Sequence, residues 1–445
     1  MSAAPRPATT RPPQTLADRR AAAAATAGPR GRGAAAAAIG RRRAAATAAT
    51  ATDNVFHDVT RQSSTMLRFR LAPAPVEYAN ALRRTMITEV ETVGFRADIL
   101  DDGSTADVKI TRNSTPMSNE MLAHRIGLLP IHVKDPLKWN PDDYMFKLDI
   151  TNEDATPRDI VAADIQVLKN RGPEEDPLPV PSVEFFHPDP FTRDTTLLTV
   201  LKGRTGAQEP ESLTFTAKAT LGTGRQNARF MPVTSRCAYG YTLDDDTDRR
   251  KEFFNRWLSG SKKVSPTEVE ADSDKKAALE REFNTMEYQR CYKIDETGEP
   301  YSYDFTVESV GVLDPVYVVG RALDILQAKL LKYASIDSGQ LPEGLRVVPA
   351  EARGKLFDFV FQGEDHTLGI TLQTWLDINM MPKEQITFVG CKVPHPLRDE
   401  MVLRVGVESG KDVDARAAVA TACREAAQMF KNWAGMWAGA SAAAP

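Results

Sequence analysis

Two stretches of this chain repeat apolar side chains at a period near 3.5 residues, and they limit what it can fold into. Val316, Val319, Leu323, Leu326, Leu330 and Tyr333 step by 3, 4, 3, 4 and 3. Val413, Ala417, Ala420, Cys423, Ala427, Phe430, Ala434 and Trp437 step by 4, 3, 3, 4, 3, 4 and 3. A helix of that period keeps one seam turned toward a partner helix along its whole length. Asp314 is placed to cap the first of these helices, and Pro315 to open it.

Each seam closes the same plan. In the first copy Leu67, Phe69 and Leu71 alternate with Arg68 and Arg70, as a half-buried strand does. Pro75 then starts a helix whose stripe is Val76, Ala79, Leu82, Met86 and Val90, with Arg83 and Arg84 beside it and facing out. In the second copy Phe357, Phe359 and Phe361 form the strand, and Leu368, Leu372, Trp375 and Leu376 the helix stripe. Strand-like segments follow at Ile386–Val393 and Met401–Val407. Neither seam can bury itself within one thin sheet-and-helix layer, whereas the two can bury each other. The expected fold class is α+β, with two sheet-and-helix dimerisation units forming a covalent pseudo-dimer. Two independent domains, each packing its seam on its own sheet, are the alternative.

The domain boundaries follow from composition. Residues 1–60 hold almost no large apolar side chains and read as a disordered tail. The first unit is discontinuous, 61–96 with 300–335, and is interrupted by a mainly β inserted domain over 97–299. Leu213, Phe215 and Ala217 alternate there as a strand, while 244–290 is a densely charged, solvated helical excursion. A linker rich in Gly and Pro spans 336–354, and the second unit runs from 355 to 437.

Charge and chemistry narrow the function. Residues 1–50 carry nine Arg and one acid, whereas the remaining 395 residues hold 47 basic and 59 acidic side chains. An acidic body argues against general nucleic-acid binding outside the tail. The tail also resembles an organelle transit peptide, and Arg41-Arg42-Arg43 a nuclear signal. Cys237, Cys291, Cys391 and Cys423 lie far apart, which suits buried thiols rather than a metal site or disulfides. No stretch is long and apolar enough to predict a membrane span. Asp365-His366 and His395 could make an acid–base pair, but Asp365 reads as a helix cap and Pro394-His395-Pro396 as a rigid turn. No Walker, nucleophile-elbow or zinc-protease motif occurs, so neither intrinsic catalysis nor a cofactor or metal is expected.

Three sequence words carry a family resemblance. Asn80-Ala81-Leu82-Arg83-Arg84, followed by Glu120 and Ala123-His124-Arg125-Ile126-Gly127-Leu128-Leu129-Pro130, resembles the alpha-type assembly subunits of cellular RNA polymerases. These are the third subunit of eukaryotic RNA polymerase II, its archaeal counterpart and the bacterial alpha amino-terminal domain. The turn Gly222–Val233, with Arg225 and Arg229, resembles a further word of that family. Glu364-Asp365-His366-Thr367-Leu368-Gly369 with Gly390-Cys391-Lys392-Val393-Pro394-His395-Pro396-Leu397 resembles the eleventh subunit of RNA polymerase II and the archaeal counterpart of that protein.

The chain is thus similar to both heterodimer partners fused in order, as in some large DNA viruses. The resemblance implies a non-catalytic platform that holds the two large polymerase subunits together, one copy per enzyme. Asn80, Leu82, Arg83, Arg84, His124, Arg125, Arg225 and Arg229 would dock the large subunits. Leu323, Leu326, Leu330, Ala427, Phe430 and Trp437 would form the dimerisation seam. The largest and second-largest subunits are the implied partners, with small zinc-binding subunits beside them and DNA or RNA touched only indirectly. The implied location is the nucleus, or a virion and cytoplasmic viral factory. Many relatives hold a cysteine-ligated zinc or iron–sulfur cluster in the inserted region, and this chain lacks those cysteines. Ile370 stands where relatives often have Asn. A stand-alone nucleic-acid-binding factor using the Arg-rich tail is the rival reading.

Overall fold

The computed structural model describes residues 54–98, 106–172, 175–350 and 355–442. It opens with β1 (Phe56–Arg61), β2 (Met66–Leu71) and α1 (Val76–Thr88), then β3 (Glu91–Gly94), β4 (Val108–Asn113) and α2 (Asn119–Gly127). Strands β5 (Tyr144–Asn152), β6 (Arg158–Val161), β7 (Gln166–Lys169) and β8 (Leu178–Val180) come next. After them run β9 (Leu197–Leu201), β10 (Glu211–Ala217), β11 (Thr220–Thr223) and β12 (Ala238–Tyr241). The charged region forms α3 (Thr247–Trp257), α4 (Pro266–Ala271) and α5 (Ser273–Met286), before β13 (Tyr303–Glu308) and α6 (Pro315–Leu331). The second unit comprises β14 (Leu345–Pro349), β15 (Leu356–Gln362), α7 (His366–Asn379), β16 (Phe388–Lys392), β17 (Glu400–Gly406) and α8 (Asp412–Ala442).

Two antiparallel sheets carry the pseudo-dimer. One has the order β1-β2-β13-β12 and the other β14-β15-β17-β16. In the first, Leu67, Phe69 and Leu71 of β2 turn inward beside Tyr303, Phe305 and Val307 of β13, and Phe69 stacks on Phe305 at 4.8 Å. In the second, Phe359 and Phe361 of β15 lie beside Met401, Leu403 and Val405 of β17. Helices α6 and α8 close the gap between the sheets, and one continuous apolar core runs through both units.

The helices cross antiparallel. Trp437, late in α8, donates from Nε1 to the Val316 carbonyl at the start of α6, at 3.0 Å. Arg424, earlier in α8, donates to the Ala334 carbonyl just beyond the end of α6. Between these points Leu323, Leu326, Leu330, Ala427 and Phe430 are buried together. Trp437 also meets Phe56 and Phe69 of the first sheet, at 5.1 and 5.0 Å.

The inserted region has its own core. A sheet of order β4-β10-β5-β7-β8 packs Phe146, Leu148 and Phe215 against Leu122 and Ile126 of α2. The pairs β3–β11 and β6–β9 complete it. The charged excursion is more than a solvated face, because Trp257, Leu258, Val269 and Phe283 form a small buried cluster within it.

The structure corrects several boundaries. Residues 1–53 lie outside the described residues, but β1 belongs to the stretch expected to be disordered. Val55 and Phe56 are buried, and that burial offsets the ordering entropy. β12, placed in the insertion by composition, is an edge of the first sheet. The expected linker contains β14, an edge of the second sheet. Within α8 the buried stripe differs from the predicted one: Val413 is exposed, whereas Ala415, Val419, Ala426 and Trp433 are buried.

We predict that Phe430→Ala lowers stability by about 3–5 kcal/mol, the usual cost of emptying an aromatic site in a core. Val413→Ala, on the exposed side of the same helix, should change it by less than about 0.5 kcal/mol. Urea denaturation of both variants checks the pair, and equal effects would show that the crossing is not the stabilising contact.

Candidate assembly interface

The functional words are built around the junction between the two units and around α2. At the junction, α1 brings Arg84 to the first turn of α7. Arg84 donates from Nη2 to Asp365 at 2.8 Å and from Nε to the Thr367 hydroxyl at 2.9 Å. Asp365 also caps α7, accepting from the Thr367 amide at 2.7 Å. Burial alone would raise its carboxyl, but the Thr367 and Arg84 hydrogen bonds outweigh burial and hold it below the usual carboxylate range.

A second set of charges lies one layer deeper. Glu89, which ends α1, accepts from Lys329 of α6 at 2.9 Å and faces Arg225 at 3.5 Å. Lys329 reaches Glu364 at 3.4 Å, and Glu364 in turn accepts from the Tyr333 hydroxyl. Lys329 and Glu364 are 13% and 7% exposed, so this pair is nearly desolvated. Arg225 is delivered by the turn after β11, whose backbone is pinned where the Arg225 amide donates to the Thr88 carbonyl. Its guanidinium spans the junction to Asp399 at 3.0 Å.

Across this junction Arg84 and Lys329 come from the first unit and Arg225 from the inserted region, and Asp365, Glu364 and Asp399 face them from the second unit. Sequence reasoning does not single out Lys329, Glu89 and Glu364 for these roles. Their partners are remote in the chain, and a local pattern carries no sign of them.

Two glycines of the sequence words are explained by close approach. A Cβ at Gly369 would fall 2.2 Å from the Cys391 sulfur, because α7 lies directly on β16. A Cβ at Gly127 would fall 2.6 Å from Nη1 of Arg229, whose guanidinium donates to the Phe95 carbonyl. The words at 123–130 and 222–233 therefore interlock. Cys391 is half-buried and its thiol is pushed up to about 11 by burial, as those of Cys237 and Cys423 are to about 12.

The predicted docking residues separate into two groups. Leu82 is core, Arg84 is bound to the second unit, and Arg229 is 6% exposed on its side chain and paired with Asp98. These three are taken up inside the chain, as is Arg225, which is paired with Asp399 and Glu89. That corrects the expectation that Arg84 faces outward. Arg83 donates to its own neighbour Asn80. His124 and Arg125 are exposed on α2, where Met121 and Leu128 are 61% and 56% exposed. Positions 121, 124, 125 and 128 fall on one helix face. His366 and the turn Pro394-His395-Pro396 are exposed too, and His395 accepts from the Leu397 amide.

Two regions match one family description, RNA polymerase Rpb3/Rpb11 dimerisation domain: residues 68–171 and residues 357–434. The chain is Rpb3/Rpb11-like, with two such domains in one polypeptide. It is 26% identical over 294 residues to DNA-directed RNA polymerases II, IV and V subunit 3 of Arabidopsis thaliana, covering 59% of this chain and 85% of that one. It is 26% identical over 283 residues to DNA-directed RNA polymerase subunit Rpo3 of Pyrococcus horikoshii, covering 61% and 93%. To DNA-directed RNA polymerase II subunit rpb3 of Dictyostelium discoideum it is 26% identical over 312 residues, covering 62% and 91%. In this Rpb3/Rpb11-like chain the 68–171 match holds α1 and α2, and the 357–434 match holds α7 and most of α8.

Removing one partner of a buried ion pair leaves the others uncompensated. Lys329→Met is therefore expected to destabilise by about 3–5 kcal/mol, with part of the loss recovered by adding Glu364→Gln. Denaturant unfolding of both variants checks this. For Asp365 the lowered folded pKa means that its stabilisation is complete above the unfolded value of about 3.9 and is lost as pH falls through the folded value. Asp365→Asn keeps a capping side chain but loses the charge. It should melt below the wild type at pH 7, with the gap closing as pH falls through the lowered folded pKa of Asp365; a gap independent of pH would sink this assignment.

Proposed function

We propose that this chain is the assembly platform of a multisubunit DNA-directed RNA polymerase and performs no chemical step itself. One observation carries the reading: two dimerisation domains of a polymerase-subunit family are packed face to face around one continuous core. The names of the three similar proteins given above, each a subunit of a DNA-directed RNA polymerase, support it. The mechanism is geometric. A fixed pseudo-two-fold body presents one surface from each unit, so two large subunits bound to it are held in register. Carrying both units in one polypeptide replaces a bimolecular pairing by an intramolecular one, at an effective concentration of roughly millimolar.

The exposed face of α2 is the surface we assign to one large subunit. Met121 and Leu128 offer apolar anchors beside His124 and Arg125, the mixture that suits a protein interface. Zinc-binding small subunits would sit beside it. The turn at Pro394-His395-Pro396, with Leu397 90% exposed, is the matching candidate on the second unit.

Affinity purification of the tagged chain with mass spectrometry tests the proposal. Two large chains bearing polymerase catalytic motifs should co-purify in equal amounts. Met121→Asp with Leu128→Asp should lose at least one of them while the chain itself melts as before. Recovery of nucleic acid without the large chains would overturn the platform and favour a tail-driven nucleic-acid binder.

A further inference from the structure

A groove of about 580 Å³ runs along the second unit, between the first turns of α8 and the end of α7. Asp414, Ala417, Ala418, Thr421 and Glu425 form one wall. They recur at three- and four-residue steps and so share one face of α8. That face is turned away from the seam residues Cys423, Phe430 and Trp437. Trp375, Asn379 and Met380 of α7 form the other wall, with Lys383 and Gln385 of the turn after it. Two features keep the groove open. The α8 wall is alanine at its centre, and the chain leaves α7 abruptly, with Glu384 in the left-handed region at a φ of 57°.

The lining is charged by Asp414, Glu425 and Lys383. All three are exposed, and among the described residues none has a side-chain hydrogen bond or an ion pair, so none is committed elsewhere. Helix α7 adds to the negative field, because its C-terminal end opens here and its last turn holds no basic side chain. Such an end carries about half a negative charge. Asn379 donates from its amide nitrogen to the Trp375 carbonyl at 2.9 Å, which leaves its amide oxygen free to accept. The Trp375 ring is half-buried and offers a face to the groove. Two free carboxylates, a helix C-terminus, an amide acceptor and an indole around a centre of alanine suit a cation on a slender stem.

We propose that this groove binds a basic linear segment of a partner protein, in extended conformation, with two cationic side chains on the same side. Asp414 and Glu425 are eleven positions apart, about 16 Å along the helix. In an extended segment, side chains four positions apart point the same way and stand about 13 Å apart, and arginine arms cover the difference. One guanidinium pairs with Asp414 and the other with Glu425, and one of them can stack on Trp375. Small residues between them pass over Ala417 and Ala418, and Lys383 donates to a carbonyl of the segment. The groove lies on the second unit, and its ligand is read from the chain alone, so the proposal stands apart from the recovery of large polymerase subunits.

Fluorescence anisotropy tests this, with the full chain at low salt and a labelled alanine peptide carrying two arginines four positions apart. Affinity should fall about tenfold in Asp414→Asn/Glu425→Gln, the loss expected for two partly exposed ion pairs. It should fall as far in Ala417→Phe, which fills the groove and leaves every charge in place. A peptide with the two arginines adjacent should bind several-fold more weakly than the spaced one. Circular dichroism melts check that both variants are folded. Absence of binding, or equal affinity in all three chains, would overturn the proposal, the latter by showing only the general attraction of cations to an acidic body. Tighter binding of single-stranded DNA or of the matching two-glutamate peptide would overturn it in favour of another occupant.

Discussion

The antiparallel crossing of α6 and α8 is the contact on which the rest of the structure depends. Each sheet is a single layer, and its outer helices alone cannot cover the seams. Separated, the units would expose Leu323, Leu326 and Leu330 on one side and Phe430, Trp433 and Trp437 on the other, a patch larger than soluble chains usually show. Joined, these side chains share one core with Phe56 and Phe69 from the first sheet and Phe359 and Phe361 from the second. Full burial contributes about 1.5–3 kcal/mol for each Leu or Phe, which makes the crossing the principal apolar contribution to the junction.

Charge adds direction to an attraction that has none of its own. The first unit presents Arg84 and Lys329 to the junction and the inserted region Arg225, and the second unit presents Asp365, Glu364 and Asp399. Pairing the first unit with another copy of itself would withhold Asp365 and Glu364 from Arg84 and Lys329, and pairing two second units would leave those carboxylates without their cations. Apolar seams of similar period would tolerate either mistake, so the charges discriminate between partners where the seams do not. The partly exposed pairs contribute little to stability.

The parts legible in sequence are those whose own residues do the burying. β2 and β15 alternate because one face of each is core, and the seams keep their period because a partner helix runs alongside. Three strands give no such signal: β1, β12 and β14. All three are sheet edges. β1 buries only Phe56 among its six residues, and β14 only Leu345. An edge strand needs a free hydrogen-bonding neighbour more than an apolar face, so it leaves no alternation to read. The same reasoning explains Val413: a seven-residue rhythm continued backward predicts it as seam, but the partner helix no longer lies beside that turn.

The sequence by itself determined the central strands, the two seam helices, the caps at Asp314 and Asp365, and the resemblance to a polymerase-subunit family. Each of these is a property of neighbours a few residues apart, or of a word long enough to be specific. Only the tertiary structure decided which charged residues are spent inside the chain. Arg84 and Arg83 are adjacent on one helix, yet Arg84 holds Asp365 across 281 positions of sequence while Arg83 bonds to Asn80 one turn away. A charged side chain's role is set by what faces it, and what faces it here arrives from the other unit only once the seams have closed.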